Sequence, residues 1–352
     1  MQGSSACKQA VNGGLHHPKR SSFDKLTFNK DAVKVFWFFY KSVVIISEVR
    51  YFIKNLMGVE GFMLQGSMTA IVTPFKNSGL DEKAFKGLIE FQIKNGTNAI
   101  VPCGTTGESA TLSYEEHERV IELTVELVNG RIPVIAGTGS NSTAETIMLT
   151  KHAERAGADA ALLITPYYNK PTQEGLYQHY KAVAEKVELP IILYNVPGRT
   201  GVNMLPDTVA RLSEIKNIIG IKEATGNLQQ VSDTIELCRK GFIILSGDDF
   251  TTLPILAIGG HGVISVTSNI APKEVSQMYR AFFDGNLEKA KRLHYKLQPL
   301  HRAMFMETNP IPVKTALAMM GKIEEEFRLP LVKMGEENRK KLEKVITDFG
   351  VI

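Results

Sequence analysis

The chain has 352 residues and a mass of 38.9 kDa, and 43% of its residues are hydrophobic and 22% charged. This composition is typical of a globular enzyme and excludes a collagen-like or wholly disordered chain. The 41 Lys and Arg residues exceed the 37 Asp and Glu residues by a formal net charge of +4, which is too small for the basic surface of a nucleic-acid-binding protein.

Residues 1–62 differ in composition from the rest of the chain, since they hold nine basic residues against four acidic ones. Their most apolar stretch, residues 33–46, is interrupted by Lys34 and Lys41 and is shorter than the roughly 20 residues of a membrane-spanning helix. We interpret residues 1–62 as a disordered extension or as the result of a start codon assigned too far upstream, with Met63 close to the natural start. A plastid transit peptide is the alternative, against which the acidic residues argue. The expected location is the cytoplasm.

The three cysteines are Cys7, Cys103 and Cys238, and no Cys-x-x-Cys pair or histidine cluster accompanies them. An odd number of cysteines at wide spacing argues against a disulfide framework and against a structural zinc site. We therefore expect no metal in this protein.

From residue 68 onward, eight apolar runs alternate with longer helix-like segments. The runs are aliphatic and β-branched without alternating polar residues, which is typical of strands buried on both faces of a parallel sheet. They span residues 68–74, 97–103, 132–137, 159–165, 190–195, 217–222, 242–247 and 262–266. Eight strand-then-helix units in about 200 residues predict a TIM (β/α)8 barrel of the α/β class. An open doubly wound sheet is the alternative, although no GxGxxG motif follows the first run.

The segments between the runs predict amphipathic helices, among them residues 81–95 and 113–129. Ser113 and Glu116 have the spacing of a capping box at the start of the second helix. After the eighth run the strand pattern stops, and the remaining sequence predicts helices broken at Gly285, at NPIP (309–312) and near residues 329–335. We predict a barrel domain over residues 63–284 and a helical C-terminal region over residues 285–352.

Catalytic groups of a TIM barrel lie at the C-terminal ends of the strands and on the loops that follow them. Here those positions hold polar and glycine-rich segments, namely GTTGES (104–109), GTGSNS (137–142), PYYNKP (166–171), YNVPGRTG (194–201) and SGDD (246–249). The sixth run ends in Lys222. Partial desolvation of a lysine favours the neutral amine, which is the form that attacks a carbonyl. A lysine that pairs with Glu223 or reaches solvent is the alternative.

Further residues on this rim have chemistry that complements a reactive lysine. The hydroxyl groups of Tyr194, Tyr168 and Thr106 can relay protons, and Arg199 can form a bidentate pair with a substrate carboxylate. The backbone N–H groups of GTTGES can bind a carboxylate. Taken singly, each has an ordinary alternative, such as a half-buried strand tyrosine, a surface arginine or a simple turn.

In their order along the chain, GTTGES, PYYNKP, YNVPGRTG, GIKEATG (220–226), SGDD and GGHGVIS (259–265) resemble the dihydrodipicolinate synthase family. The resemblance runs from about Gly66 through the C-terminal helices, includes NPIPVK (309–314), and leaves the residues before Met63 unmatched. It implies a TIM barrel and a class I aldolase reaction without metal or organic cofactor. In that reaction pyruvate condenses with L-aspartate 4-semialdehyde to 4-hydroxy-tetrahydrodipicolinate, the first committed step of lysine and diaminopimelate biosynthesis.

Matched motif by motif, the resemblance implies that Lys222 forms a Schiff base with pyruvate and that Tyr194, Thr106 and Tyr168 relay protons. Tyr168 would come from a neighbouring subunit, so a homo-oligomer is expected, either a dimer or a dimer of dimers. Substrate binding is implied for Thr105, Thr106, Arg199, Ile264 and Gly247. The threonines would hold the pyruvate carboxylate, and Arg199 would hold the carboxylate of aspartate semialdehyde.

The resemblance also implies feedback inhibition by L-lysine, bound in a cleft at the dimer interface. The matching positions are Ser109, Ala110, Tyr114, His117, Asn141, Glu145 and Tyr167. Glu145 is the expected partner of the ammonium group, and Tyr114 stands where some inhibited members carry histidine. Ordinary helix-surface positions for His117 and Glu145 are the alternative.

Two other functions fit parts of the pattern. A sibling aldolase, such as N-acetylneuraminate lyase or a keto-deoxy-sugar-acid aldolase, shares the lysine and the tyrosine, but a sugar aldehyde offers no carboxylate to Arg199. A non-catalytic barrel that acts as a regulatory subunit, with the basic N-terminal segment as an interaction arm, would not need all the rim residues together. Neither nucleic acid nor a membrane is expected as a partner.

Overall fold

The computed structural model describes residues 64–352. The predicted N-terminal extension, the proposed start at Met63 and Cys7 lie outside the described residues. Cys103 and Cys238 are free thiols, the first buried and the second half-buried.

The described residues hold ten strands, most of them short and apolar. They are β1 (Gly66–Ala70), β2 (Phe75–Lys76), β3 (Gly79–Leu80), β4 (Ala99–Val101), β5 (Ile135–Gly137), β6 (Ala160–Ile164), β7 (Ile191–Asn195), β8 (Ile218–Glu223), β9 (Ile243–Ser246) and β10 (Gly262–Ser265). Strands β2 and β3 form a separate antiparallel hairpin, and each of the other eight lies within or beside one of the eight predicted runs. All eight predicted strands are therefore confirmed.

The eight remaining strands form one parallel sheet that closes on itself. Their order is β4, β1, β10, β9, β8, β7, β6 and β5. A parallel bridge between Ile100 and Val134, with a 3.0 Å hydrogen bond from the Ile100 N–H to the Pro133 carbonyl, joins the last strand to the first. Closure confirms the TIM barrel and excludes the open doubly wound sheet.

The same part of the chain forms twelve α-helices. They are α1 (Glu82–Lys94), α2 (Tyr114–Val128), α3 (Thr143–Ala156), α4 (Gln173–Ala184), α5 (Pro197–Thr200), α6 (Pro206–Ser213), α7 (Leu228–Leu237), α8 (Thr252–Ala257), α9 (Pro272–Phe283), α10 (Leu287–Met304), α11 (Ile311–Met319) and α12 (Glu336–Phe349). The chain thus breaks between helices at the three predicted places in the C-terminal region.

The capping signals place the helix ends where the sequence predicts them. Asp81 accepts a hydrogen bond from the Ala84 N–H and begins α1, and Asn95 ends it. Ser113 and Glu116 form a complete capping box at the start of α2, because each side chain accepts from the other residue's backbone N–H. The predicted capping box is confirmed.

Alternate residues of the strands supply two separate apolar layers, as a period of two requires. One layer fills the barrel interior and includes Met68, Ala70, Ala99, Val101, Ile135, Ala160, Leu162, Ile192, Tyr194, Ile243, Leu245 and Ile264. Their neighbours, such as Ile100, Leu163 and Leu193, face the surrounding helices and join the larger core there. The register between β7 and β8 shifts after Ile191, so that Ile192 of β7 pairs with Gly220 of β8.

Candidate active site

Lys222 lies near the C-terminal end of β8, one residue before the strand ends at Glu223. It pairs in register with Tyr194 of β7, and its Nζ lies 4.1 Å from the centroid of the Tyr194 ring. Lys222 is 6% exposed and Tyr194 is 7% exposed. Within residues 64–352, Lys222 makes no ion pair. The strand register therefore presents a buried amine against an aromatic ring.

Glu223 points away from Lys222 and is engaged elsewhere. Its carboxylate accepts hydrogen bonds from the Asn195 side chain at 3.1 Å, from the Thr225 N–H at 2.8 Å and from the Gln230 side chain at 3.5 Å. Burial raises the pKa of Glu223, and these donors act in the opposite direction. The alternative in which Lys222 pairs with Glu223 is therefore wrong.

Gly247 leaves the space that the Lys222 side chain occupies. A Cβ atom at this position would lie 3.1 Å from Lys222 Cε and 2.7 Å from Ala224 Cβ. A separation of 2.7 Å between two carbon atoms is well inside their optimal contact distance. Gly247, which the resemblance placed in the substrate site, thus has a steric role beside the lysine.

Thr105 and Thr106 lie on a tight turn after β4, which we call the threonine turn (residues 104–108). Residues Thr105–Gly107 form one turn of 3-10 helix, and the Thr73 hydroxyl donates a 2.7 Å hydrogen bond to the Gly107 carbonyl. Thr106 is buried, and its Oγ1 accepts a 3.0 Å hydrogen bond from the side-chain amide of Asn309. Thr105 is half-buried at the start of the turn.

Arg199 lies on the short helix α5 rather than on an irregular Pro-Gly loop, because Pro197 supplies the fixed backbone angle of a helix start. The arginine is exposed, and its Nη2 donates a 3.2 Å hydrogen bond to the Asn309 carbonyl. Asn309 therefore contacts both Thr106 and Arg199 just before α11 begins. The sequence pointed to Asn309 only through its place in NPIPVK, and no role for it could be read from that motif.

Tyr168 does not join the other rim residues within one chain. Its side chain is 89% exposed, and its backbone φ is +68°, a value that L-residues seldom adopt. The following residue, Asn169, donates a 2.9 Å hydrogen bond from its side-chain amide to the Asn141 carbonyl and so ties this loop to the loop after β5. Ile264 lies in β10 and is buried in the barrel interior.

The predicted lysine-site residues lie at the start of α2 and α3 and on the loops beside them. The Tyr114 hydroxyl and the Ser140 hydroxyl both donate hydrogen bonds to the Glu145 carboxylate. The hydrogen bond to Glu145 raises the pKa of Tyr114, and burial raises that of Tyr167. Ala110 is exposed, and Ser109 and Asn141 are half-buried. The carboxylate expected to meet an ammonium group thus has two partners from its own chain.

His117 is buried, so a helix-surface position for it is wrong. Burial lowers the pKa of His117 to about 4, which makes the imidazole neutral at pH 7. Among residues 64–352, no group of three or more His, Cys, Asp or Glu side chains has the arrangement of a metal site. In the same residues, no helix combines the length and apolar character needed to cross a membrane.

Comparison with known proteins matches the Dihydrodipicolinate synthetase family to residues 63–349. A curated relative from Thermodesulfovibrio yellowstonii, named 4-hydroxy-tetrahydrodipicolinate synthase, is 66% identical over 290 residues, which cover 82% of this chain and 100% of the relative.

Two solved structures extend the comparison to bound molecules. The chloride-inhibited dihydrodipicolinate synthase from Acinetobacter baumannii, complexed with pyruvate, is 53% identical, with a TM-score of 0.81 over 82% of this chain and 100% of that one. The corresponding protein from Cyanidioschyzon merolae with lysine bound is 41% identical, with a TM-score of 0.80 over 82% of this chain and 99% of that one.

Proposed function

The chain belongs to the Dihydrodipicolinate synthetase family, and we propose that it catalyses the reaction for which its curated relatives are named, 4-hydroxy-tetrahydrodipicolinate synthase. It is a lyase that condenses pyruvate with L-aspartate 4-semialdehyde through a Schiff base. The observation that carries this proposal is the buried amine of Lys222, which faces the Tyr194 ring and has no carboxylate partner in the described part of the chain. The proposed site of action is the cytoplasm.

The reaction follows from the chemistry of an amine and a ketone. The Lys222 amine attacks C2 of pyruvate, and loss of water forms the imine. Removal of a proton from C3 gives the enamine, whose carbon attacks the aldehyde of the second substrate and forms the new carbon–carbon bond. The amino group of the adduct then attacks the imine carbon, closes the ring and releases the Lys222 amine. Tyr194, beside Lys222, supplies the proton with which the pyruvate C2 oxygen leaves as water and the proton that the aldehyde oxygen takes up as it becomes a hydroxyl group.

The remaining roles follow the predicted assignments. Thr105 and Thr106 hold the pyruvate carboxylate, with Ile264 in the barrel wall and Gly247 leaving space beside Lys222. Arg199 binds the carboxylate of aspartate semialdehyde as a bidentate partner. Support comes from Asn309, which contacts both Thr106 and Arg199 and so ties the two carboxylate positions to one residue.

Tyr168 of a second copy of this chain completes the proton relay with Tyr194 and Thr106. The high exposure of Tyr168 on a single chain supports this assignment, because an exposed tyrosine is available to a neighbour. The functional unit that we propose is therefore at least a homodimer. Sedimentation velocity of the wild type would distinguish the dimer from the dimer of dimers.

The roles of Thr105 and Thr106 can be separated by experiment. The Thr106 hydroxyl already accepts a hydrogen bond from Asn309, and this leaves its own proton free for Tyr194. We expect Thr106→Val to lower kcat by about 100-fold through loss of the relay. Thr105→Val is the matched control, and a larger kcat loss in that variant would move the relay to Thr105.

Borohydride trapping tests the central step. The wild type incubated with pyruvate and reduced should carry one adduct, which peptide mass maps to Lys222, and Lys222→Met should carry none. Aspartate semialdehyde added before the reduction should consume the wild-type Schiff base and prevent the adduct, whereas N-acetylmannosamine added at the same stage should not. Discharge by N-acetylmannosamine alone would assign a sibling aldolase, and an unmodified Lys222 would refute the Schiff-base mechanism.

L-Lysine is the proposed feedback inhibitor, bound near Ser109, Ala110, Tyr114, His117, Asn141, Glu145 and Tyr167. A lysine ammonium must compete with the Tyr114 hydroxyl for the Glu145 carboxylate. We therefore expect Tyr114→Phe to lower the inhibitory concentration of lysine several-fold, while Glu145→Gln abolishes inhibition. Unchanged rates in millimolar lysine for the wild type and for Tyr114→Phe would refute the site.

A further inference from the structure

A buried ion pair lies directly beside the threonine turn. Glu108 is 4% exposed and Lys314 is 0% exposed, and the Lys314 Nζ donates a short hydrogen bond to Glu108 Oε1. The other carboxylate oxygen, Oε2, accepts a 3.2 Å hydrogen bond from the Arg328 N–H. Burial lowers the pKa of Lys314, and the Glu108 carboxylate opposes this shift. Neither side chain has a role in the proposed reaction.

Two aromatic rings flank the Lys314 amine. Its Nζ lies 4.3 Å from the centroid of the Phe75 ring and 5.2 Å from that of Phe327. A buried ion pair adds little net stability, because the cost of desolvating both charges offsets their attraction. The role of this ion pair is therefore better inferred from its position in the fold than from the stability that it contributes.

Glu108 is the residue at which the threonine turn ends. Its backbone φ is +54°, and it connects the 3-10 turn of Thr105–Gly107 to a second one, Ser109–Thr111. A left-handed glutamate is held in place only when its surroundings fix it. The hydrogen bonds to the Glu108 carboxylate supply that restraint.

Helix α11 and the residue two positions before it contact the threonine turn at two points. Asn309, two residues before the helix, donates to Thr106, and Lys314, within its first turn, donates to Glu108. These contacts join residues that lie 203 and 206 positions apart in the chain. Together with the hydrogen bond from Thr73 to the Gly107 carbonyl, these two contacts restrain both the position and the rotation of the turn.

We propose that Glu108 and Lys314 are positioning residues that hold the threonine turn in the geometry that binds the pyruvate carboxylate. They act through Thr105 and Thr106 and do not touch substrate. This inference rests on the proposed function, since it assigns the threonines to pyruvate. It predicts that loss of the pair impairs pyruvate binding more than binding of the second substrate, whose carboxylate meets Arg199 on α5.

The test compares Glu108→Gln, Lys314→Met and the double variant in the full-length protein. Each single variant leaves a buried charge without its counter-charge, so its Tm should fall by roughly 10 °C. The double variant removes both charges and should regain most of that Tm. If the pair positions the turn, the double variant still shows a KM for pyruvate raised about tenfold, with the KM for aspartate semialdehyde nearly unchanged.

The matched control is the exposed pair Lys76–Glu324, which joins the β2–β3 hairpin to the C-terminal region without a hydrogen bond from either side chain to residues 104–108. Lys76→Met with Glu324→Gln should leave Tm and both KM values unchanged. Glu108→Asp is the second variant, because it keeps the charge but withdraws the carboxylate by one methylene group. It should fold and should also raise the KM for pyruvate.

The outcomes separate the two proposals. A double variant with near wild-type Tm and a wild-type KM for pyruvate would overturn the positioning role, as would an unchanged KM for pyruvate in Glu108→Asp. Equal increases in both KM values would also overturn it. Failure of the wild type to trap pyruvate on Lys222 would instead refute the proposed function.

Discussion

The proposed site residues fall into two groups that reach the rim by different routes. Lys222, Tyr194 and Ile264 stand on barrel strands, where register and the alternation of side chains fix their direction. Thr106 and Arg199 stand on connections between strands and helices, and both contact Asn309, which is remote in sequence. The strand group is positioned by neighbours in the sheet, and the loop group depends on the C-terminal helices. The strand group should therefore respond to substitutions of its neighbours in the sheet. The loop group should also respond to substitutions more than 100 positions away along the chain.

The largest expected effect is on the strand group. Gly247→Ala places a methyl group 2.7 Å from Ala224 Cβ, so the chain beside Lys222 must shift, and 3.1 Å from Lys222 Cε, which crowds the lysine. We expect kcat to fall about 100-fold, because displacing the reacting amine from its attack geometry has a cost of this order. Steady-state kinetics and the rate of pyruvate trapping measure the effect.

Gly198→Ala is the matched control for Gly247→Ala. Gly198 lies on α5 at the same rim, and a Cβ atom there would meet no other atom within 4 Å. Its kinetics should equal those of the wild type. Equal losses in the two variants would show that the rim as a whole, rather than the space beside Lys222, tolerates no added methyl group.

A second prediction concerns how the stability of the folded protein depends on pH through His117, which contacts the residue before the threonine turn. The carbonyl of His117 accepts a hydrogen bond of 3.6 Å from the Cys103 thiol, which directly precedes the threonine turn. Burial lowers the pKa of His117 to about 4, so the unfolded chain binds a proton at a higher pH than the folded chain does. The stability that His117 contributes is therefore present above pH 6.5 and is lost as the pH falls from 6.5 toward 4.

Between pH 6.5 and pH 5 this loss should be about 1–2 kcal/mol in the free energy of unfolding. Urea unfolding at the two pH values would measure it, and His117→Gln should lose correspondingly less. His179, whose pKa burial also lowers to about 4, provides an independent variant for the same measurement. If His117→Gln and the wild type lose equal stability, protonation of His117 is not the cause.

The smallest effect tests the long-range contact of the loop group. Asn309→Leu has a similar shape but cannot donate to Thr106, and we expect kcat/KM to fall about tenfold. The carbonyl that Arg199 contacts belongs to the backbone and is retained. If Asn309 acts through Thr106, the double variant with Thr106→Val should be no worse than Thr106→Val alone, whereas additive losses would indicate independent roles.

The two groups also differ in what the sequence alone could reveal. The eight strands, the caps at Asp81 and Ser113 and the position of Lys222 could all be predicted, because each depends on a pattern of neighbouring residues. The contacts of Asn309 and of the Glu108–Lys314 pair could not, because they join residues more than 100 positions apart. Helix α5 was missed because a Pro-Gly sequence of four residues resembles a turn.

The dependence of the threonine turn on α11 has a consequence for the order in which the chain is made. A ribosome completes Lys222 before it reaches Asn309 and Lys314, and at roughly 5–20 residues per second the delay is several seconds. In the later part of that interval, after β10 ends at Ser265, all the barrel strands have been made, but the contacts of Asn309 and Lys314 with the threonine turn do not yet exist. The nascent enzyme should therefore acquire its reactive lysine before it can orient a substrate, and catalytic competence should arrive only after Lys314 has been made and α11 has packed against the threonine turn.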